Sequence, residues 1–287
     1  MTEIASRMLG VTGLRATVED DRFVPGAFQL VVDGTPQSEV VIDDPTRLQF
    51  EYVERMGHVI DLLAPEGKAI TAIHLGAGAL TLPRYIEATR PGSRQQVLEL
   101  ERELVDLVRE VIPWSPKASI RVRYGDARET LTKLPAALHA SVDLLVVDVF
   151  SGARTPAHVT SREFYELVAT FLAPDGVLLV NVADGPGLAF ARAQAATLAS
   201  VLPEAAALAE AQILKGRRFG NIVLVASRRE LPLEWMPRLL AAGPHPAKMV
   251  AGAEFDRFIA GARIVTDATS VPSPRPERTI FQQAPKP

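Results

Sequence analysis

Cysteine is absent from the 287-residue chain. That excludes disulfides, thiolate metal sites and a cysteine nucleophile, and it fits a reducing compartment. No apolar run approaches the roughly 20 residues a membrane-spanning helix needs. The longest runs, Val142–Val149 and Val177–Val182, have the length of strands. A large charge of either sign is missing too. A formal net charge of -3 offers no attraction to nucleic acid or to an acidic membrane surface, so neither is an expected partner. The first thirty residues lack a basic start followed by an apolar stretch, so no secretory signal is read and the cytoplasm is the expected location. Five histidines without close pairing point to no metal site. No internal repeat is found. What is present, 47% hydrophobic and 23% charged residues, suits one large folded domain with at most a small appendage.

Three regions separate by pattern: 1–63, 64–268 and 269–287. In the first, Phe28-Gln29-Leu30-Val31-Val32, an Asp33-Gly34 turn signal and the run from Gln37 to Ile42 predict a β-hairpin. Leu48, Tyr52, Met56, Val59 and Leu63 then fall at helical spacing, with Asp44 or Thr46 as the expected N-cap and Pro45 in the first turn. From residue 69 to about 227, six short apolar strands alternate with amphipathic helices, which predicts a mostly parallel sheet covered on both faces. A further strand within 205–214 would pair with 221–226 as an antiparallel edge. A short helix near 235–241 and a mixed segment to 268 follow. The tail carries Pro272, Pro274, Pro276, Pro285 and Pro287, a density that resists helix and sheet, and it is read as extended or disordered. The fold class is thus α/β, a Rossmann-like domain behind a small N-terminal β-hairpin region.

Ile73-His74-Leu75-Gly76-Ala77-Gly78-Ala79-Leu80-Thr81 lies between a predicted strand and helix. Small residues there let a ligand approach the backbone and the helix N-terminus. The third glycine of a dinucleotide fingerprint is replaced by Thr81. The next strand ends in Leu98-Glu99-Leu100-Glu101, about twenty residues on, where such folds place an acid on ribose hydroxyls. Tyr124-Gly125-Asp126-Ala127 and Asp148 end the following strands, so four turns at one sheet edge each offer a glycine or an acid. Plainer roles exist for each: a tight turn for Gly76 and Gly78, a helix cap for Glu101, and an N-cap for Asp126.

With these residues in view, the chain resembles the spermidine synthase (polyamine aminopropyltransferase) family, in a divergent actinobacterial-type form and over about residues 30–227. Leu30-Val31-Val32-Asp33-Gly34-Thr35-Pro36-Gln37-Ser38 is similar to the family's hairpin motif, which implies that Gln37 reaches the nucleoside. Leu98-Glu99-Leu100-Glu101 resembles Val-Glu-Ile-Asp and implies Glu99 on the ribose. Gly125-Asp126-Ala127 matches the Gly-Asp-Ala before the adenine. Val147-Asp148-Val149-Phe150-Ser151-Gly152, with Pro156, His158 and Thr160, resembles the loop of a distant branch, and residues 219–227 resemble its late Gly-Asn strand. The family also implies a homodimer built through the N-terminal strands.

Two departures stand out. Ala153 occupies about the place of the family's second loop acid, and the usual Tyr-His-Glu reads Tyr52-Val53-Glu54. Asp148 is the leading candidate to accept the amine's proton, with Asp184 and Glu54 behind it, and Tyr52 could orient the amine. Asp148 also suits a plainer role, binding N–H groups of its own loop. Arg154, if it faced the acceptor, would repel a polyamine by about 1 to 4 kcal/mol at 4 Å. Spermidine synthesis itself is therefore expected to be weak or absent. His158 is a possible base, with a loop-fixing role as the alternative, and His74 reads as a packed strand residue. Three functions stay open: an aminopropyltransferase-like enzyme using decarboxylated S-adenosylmethionine and a small amine or other acceptor, a small-molecule methyltransferase using S-adenosylmethionine, and a non-catalytic nucleoside-binding protein.

Overall fold

The computed structural model describes residues 1–242 and 245–276. Its N-terminal region is a four-stranded antiparallel sheet in sequence order: β1 (Thr2–Met8), β2 (Arg15–Asp20), β3 (Ala27–Val32) and β4 (Thr35–Val41). The expected hairpin is β3–β4. Asp33 and Gly34 both have positive φ, 49° and 74°, the conformation a two-residue turn between twisted strands requires. The other two strands were not expected. β1 reads Thr-Glu-Ile-Ala-Ser-Arg-Met and stays largely exposed, so it shows no apolar run.

Helix α1 (Glu51–Leu62) follows, and it buries Tyr52, Val53, Met56, Val59 and Ile60 on one side. The expected N-cap is corrected here. Phe50 holds that position without a side-chain cap, while Asp44 accepts from the Thr46 N–H and hydroxyl in a turn of its own. The competing local hydrogen bond keeps the chain at 44–46 out of the helix.

The main domain then alternates β5 (Thr71–Leu75), α2 (Thr81–Thr89), β6 (Arg94–Glu99), α3 (Arg102–Val111), β7 (Ile120–Tyr124), α4 (Ala127–Leu131), β8 (Val142–Val147), α5 (Arg162–Ala169), β9 (Leu172–Asp184) and α6 (Ala189–Ala199). It closes with β10 (Glu204–Ala209), α7 (Ala211–Leu214), β11 (Gly220–Ser227), α8 (Met236–Ala241), β12 (Lys248–Ala251) and α9 (Ala253–Ile259). The eight strands form one sheet in the order β7-β6-β5-β8-β9-β11-β10-β12. From β7 to β9 the pairing is parallel; β11, β10 and β12 make the antiparallel edge. The order reverses between β5 and β8, so the strand ends splay apart there and leave a crevice.

Both faces of the sheet are covered. Met56, Val59 and Ile60 of α1 and Ile86 of α2 pack on one side with Leu144, Val146 and Leu179. On the other side, Phe164, Val168, Ala191 and Leu198 of α5 and α6 pack against Leu145, Val147 and Leu178. The N-terminal sheet docks on the domain through buried Glu101, whose two oxygens accept from Val11 and Thr12 N–H at 3.0 and 2.7 Å. Ser38 of β4 adds a contact to the glycine turn, its Oγ accepting from Ala79 N–H at 3.1 Å.

As far as residue 276 the tail forms neither helix nor sheet, as expected. Ser273 is buried and exchanges backbone bonds with Thr155, its N–H donating to Thr155 O and its Oγ accepting from Thr155 N–H. Residues 277–287, which carry the remaining tail prolines, lie outside the described residues.

Candidate active site

A cavity of about 350 Å³ opens at the carboxyl ends of β5, β6, β7 and β8, roofed by the N-terminal sheet. Gln37, Tyr52, Gly76, Gly78, Glu99, Asp126, Ala127 and Asp148 all line it. The switch in strand order brings them together across more than a hundred residues of chain.

At one end, half-buried Glu99 accepts from Ala77 N–H at 2.8 Å through Oε2 and from Glu101 N–H at 2.9 Å through Oε1. Burial pushes its carboxyl up from the ordinary value, and those N–H groups pull it back. Each oxygen keeps a lone pair for a diol. Asp126 caps α4 through Glu129 N–H at 3.0 Å, and its other oxygen meets His158 Nε2 at 2.6 Å. The capping role and a place on the cavity wall therefore coexist. His158 holds Asp126 through its ring, and its backbone carbonyl accepts from Arg128 Nη1 at 3.0 Å.

At the other end, Asp148 lies half-buried. Its Oδ1 accepts from Asn181 Nδ2 at 2.9 Å and its Oδ2 faces the Tyr52 hydroxyl at 3.4 Å. Burial raises its carboxyl from 3.8 to about 6, against the lowering effect of those two partners. Burial and the adjacent Asp148 push the Tyr52 hydroxyl well above its ordinary value, so it stays protonated as a donor. The carboxylate does not spend itself on N–H groups of its own loop.

Gly76 and Gly78 are required by the protein's own packing. A Cβ on Gly76 would fall 2.2 Å from the Asp148 carbonyl oxygen, and one on Gly78 would fall 2.2 Å from Ser38 Oγ. Their φ values are +93° and +50°. Gln37 Nε2 donates to Gly152 O at 3.2 Å, tying the roof to the loop after β8.

Several expectations are corrected. Asp184 is buried away from the cavity, where it accepts from Gly185 and Ala191 N–H at the start of α6. Glu54 does not line the cavity. Of the two places open to Arg154, facing the acceptor or lying away from it as loop arginines commonly do, the second holds: Nε donates to Ser273 O at 2.5 Å and Nη2 to Pro272 O at 3.4 Å. Ser151 and Gly152 line the cavity while Ala153 does not, because a bridge between Ser151 and Arg154 folds the loop back on itself. Among the described residues, no cluster of three or more histidine or acidic side chains converges to hold a metal, and no helix is long and apolar enough to cross a membrane.

No family model matches the chain. A polyamine aminopropyltransferase of Vibrio vulnificus is 29% identical over 135 residues, and a probable polyamine aminopropyl transferase of Bifidobacterium longum is 32% identical over 136. A probable spermidine synthase of Corynebacterium glutamicum, known by crystal structure, superposes with a TM-score of 0.81 at 28% identity, over 93% of this chain and 96% of that one. In sequence the chain is similar to polyamine aminopropyltransferases, and in fold to a spermidine synthase. The matches span 47% and 46% of this chain but only 44% and 29% of the two curated relatives. A spermidine synthase in complex with the transition-state analogue AdoDATO has the same fold, with a TM-score of 0.61 at 16% identity over 81% of this chain and 76% of that one.

Within this fold, Asn181 escapes sequence reasoning, and Glu101 reads in sequence only as a helix cap. Asn181 supports Asp148 from the middle of β9. Its one signal is a polar residue inside an otherwise apolar strand, buried to 3% exposure. Glu101 joins the roof to the cavity wall, and nothing local to its sequence foretells a partner ninety residues away.

Proposed function

We propose that this protein is an aminopropyltransferase that uses decarboxylated S-adenosylmethionine as donor and a small amine as acceptor, releasing methylthioadenosine. The observation that carries this reading is the charge of the cavity wall. Four carboxylates, Glu99, Glu101, Asp126 and Asp148, line it with His158, and among the described residues no lysine or arginine does. Such a wall favours a sulfonium donor with an ammonium arm and a cationic amine. Intact S-adenosylmethionine would bring a carboxylate with no cation to meet it, so the methyltransferase reading is the weaker one. With Arg154 engaged by the tail, the repulsion that argued against a polyamine does not operate.

In this reading Glu99 holds the ribose, Asp126 and Ala127 bound the adenine and Gln37 anchors the roof over the nucleoside. Tyr52 and Asp148 receive the acceptor ammonium. Asp148 takes its proton, and the freed nitrogen lone pair attacks the methylene carbon bonded to sulfur. A C–N bond forms as the C–S bond breaks, and the electron pair leaves on sulfur as a neutral thioether. The product leaves as a secondary ammonium, and Asp148 releases the proton it took to solvent, which restores the carboxylate. The site calls for no metal. Proximity and exclusion of water supply much of the acceleration, and a carboxylate raised to about 6 is a competent base near neutrality. Action in the cytoplasm belongs to the same reading, as does a homodimer, for which exposed Ile4 and Met8 on edge strand β1 offer an apolar contact.

The test is incubation with decarboxylated S-adenosylmethionine and a panel of amines, following methylthioadenosine release. Calorimetry with the decarboxylated and intact donors is run beside it. Tighter binding of the decarboxylated form and amine-dependent release support the proposal. Equal or tighter binding of the intact donor, with methylated product, overturns it. Binding without transfer to any acceptor would leave a non-catalytic nucleoside-binding protein.

A further inference from the structure

His74 is the one imidazole on the cavity floor, and its hydrogen bonding defines its state. Gln95 Nε2 donates to Pro83 O at 2.9 Å, which orients the amide and leaves Oε1 facing His74 Nε2 at 3.0 Å. The nitrogen facing that oxygen must carry the proton. Nδ1 is then a bare lone pair, without a hydrogen-bond partner among the described residues, on a side chain that is 3% exposed and lines the cavity. Burial pushes the imidazole down to about 4, so it stays neutral at physiological pH.

Its position in the sheet says what it could meet. β5 lies between β6 and β8, and His74 pairs with Val97 on one side and Val146 on the other. Glu99 and Asp148 lie two residues further along those neighbours and point to the same face. Strand spacing puts His74 Cα about 8 Å from each of theirs. The residue therefore sits midway between the ribose acid and the candidate base, one row deeper. The wall around it, Tyr52, Val53, Leu82, Pro83 and Val146, holds no charge.

An in-line displacement sets nitrogen, carbon and sulfur on one axis, here running along the strand ends from Asp148 towards Glu99. The rest of the transferred chain must leave that axis at a steep angle, and His74, one row below both acids, lies on one such side. We propose that His74 is a specificity-determining residue whose Nδ1 accepts a hydrogen bond from the terminal ammonium of the donor's aminopropyl arm. This rests on the aminopropyltransferase reading above. It gives the arm a defined end, so the protein reads the amine that the transferred chain carries. A donor bearing a carboxylate beside that amine would press an anion against the lone pair and be refused.

The test compares binding of decarboxylated S-adenosylmethionine with its analogue ending in a methyl group in place of the amine, by calorimetry on the full chain. Methylthioadenosine, which lacks the arm, serves as reference. The native protein is expected to favour the amine by about tenfold to a hundredfold, the range of a hydrogen bond to a charged group. His74→Gln keeps a group at the Nε2 position for Gln95 but removes the Nδ1 acceptor. It should cut the preference to within about threefold while methylthioadenosine binding stays unchanged. His74→Asn, with an oxygen near the Nδ1 position, should retain most of it. Should His74→Gln fail to fold, Gln95→Leu is read by the same ratio, which should drop severalfold as the tautomer is released. An unchanged preference in variants that still bind methylthioadenosine overturns the role of His74. Failure of the native protein to bind any adenosyl compound removes the underlying reading instead.

Discussion

Replacing Asp148 with asparagine should slow transfer strongly and, at neutral pH, stabilise the fold. The native carboxyl is raised from 3.8 to about 6, chiefly by burial, so the folded state holds a proton more tightly than the unfolded chain does. The sign follows from linkage. The group's contribution to stability is complete below pH 3.8 and is lost as pH rises through about 6. A displacement of that size corresponds to about 3 kcal/mol as an upper bound, and the opening to the cavity reduces it to about 1–3 kcal/mol. Asparagine keeps the oxygen that accepts from Asn181 and carries no charge, so it escapes this loss. Urea unfolding of both proteins between about pH 4 and pH 8 isolates the effect, since every other titration cancels in the difference. The variant should gain on the native protein as pH rises, levelling off above about pH 7, while transfer falls by about 10²–10⁴. A difference in stability that is flat with pH, or that moves the other way, would refute the claim that a dehydrated carboxylate sits at the centre of this cavity.

Gly76→Ala should cost about 3 kcal/mol or more, because its methyl meets the Asp148 carbonyl and its φ is +93°. Gly78→Ala should cost about 1–3 kcal/mol, and Ser38→Ala in that background should recover part of the loss in thermal unfolding. Glu99→Gln puts an amide NH₂ against Ala77 or Glu101 N–H, so calorimetry should show methylthioadenosine binding weakened at least about tenfold. Arg154→Ala should leave the acceptor KM within about twofold and lower stability by about 1 kcal/mol, since the guanidinium serves the tail and not the cavity.

Much of the fold is legible in local patterns. The alternation of apolar strands and amphipathic helices, the antiparallel pairing of β10 with β11 and the Asp33-Gly34 turn all follow from periodicity and turn chemistry. The N-terminal sheet is less legible. β1 draws its stability from pairing with β2 and from the Arg7–Glu110 contact at 2.8 Å to α3, which leaves no apolar signature in its own residues. The tail is legible in part for a related reason. Its prolines prevent regular structure, but they do not prevent Ser273 from burying itself against Thr155.

Residue types at strand ends determined by themselves that an edge of the sheet carries glycines and acids, because a parallel sheet places every β-to-α turn on the same side. The tertiary structure alone decided which way each side chain faces and what it meets there. Arg154 leaves the cavity, Asn181 enters the support of Asp148, and His74 becomes a neutral acceptor between two acids. Those outcomes depend on partners tens of residues away, and a hydrogen bond between distant strands is invisible until the chain has folded.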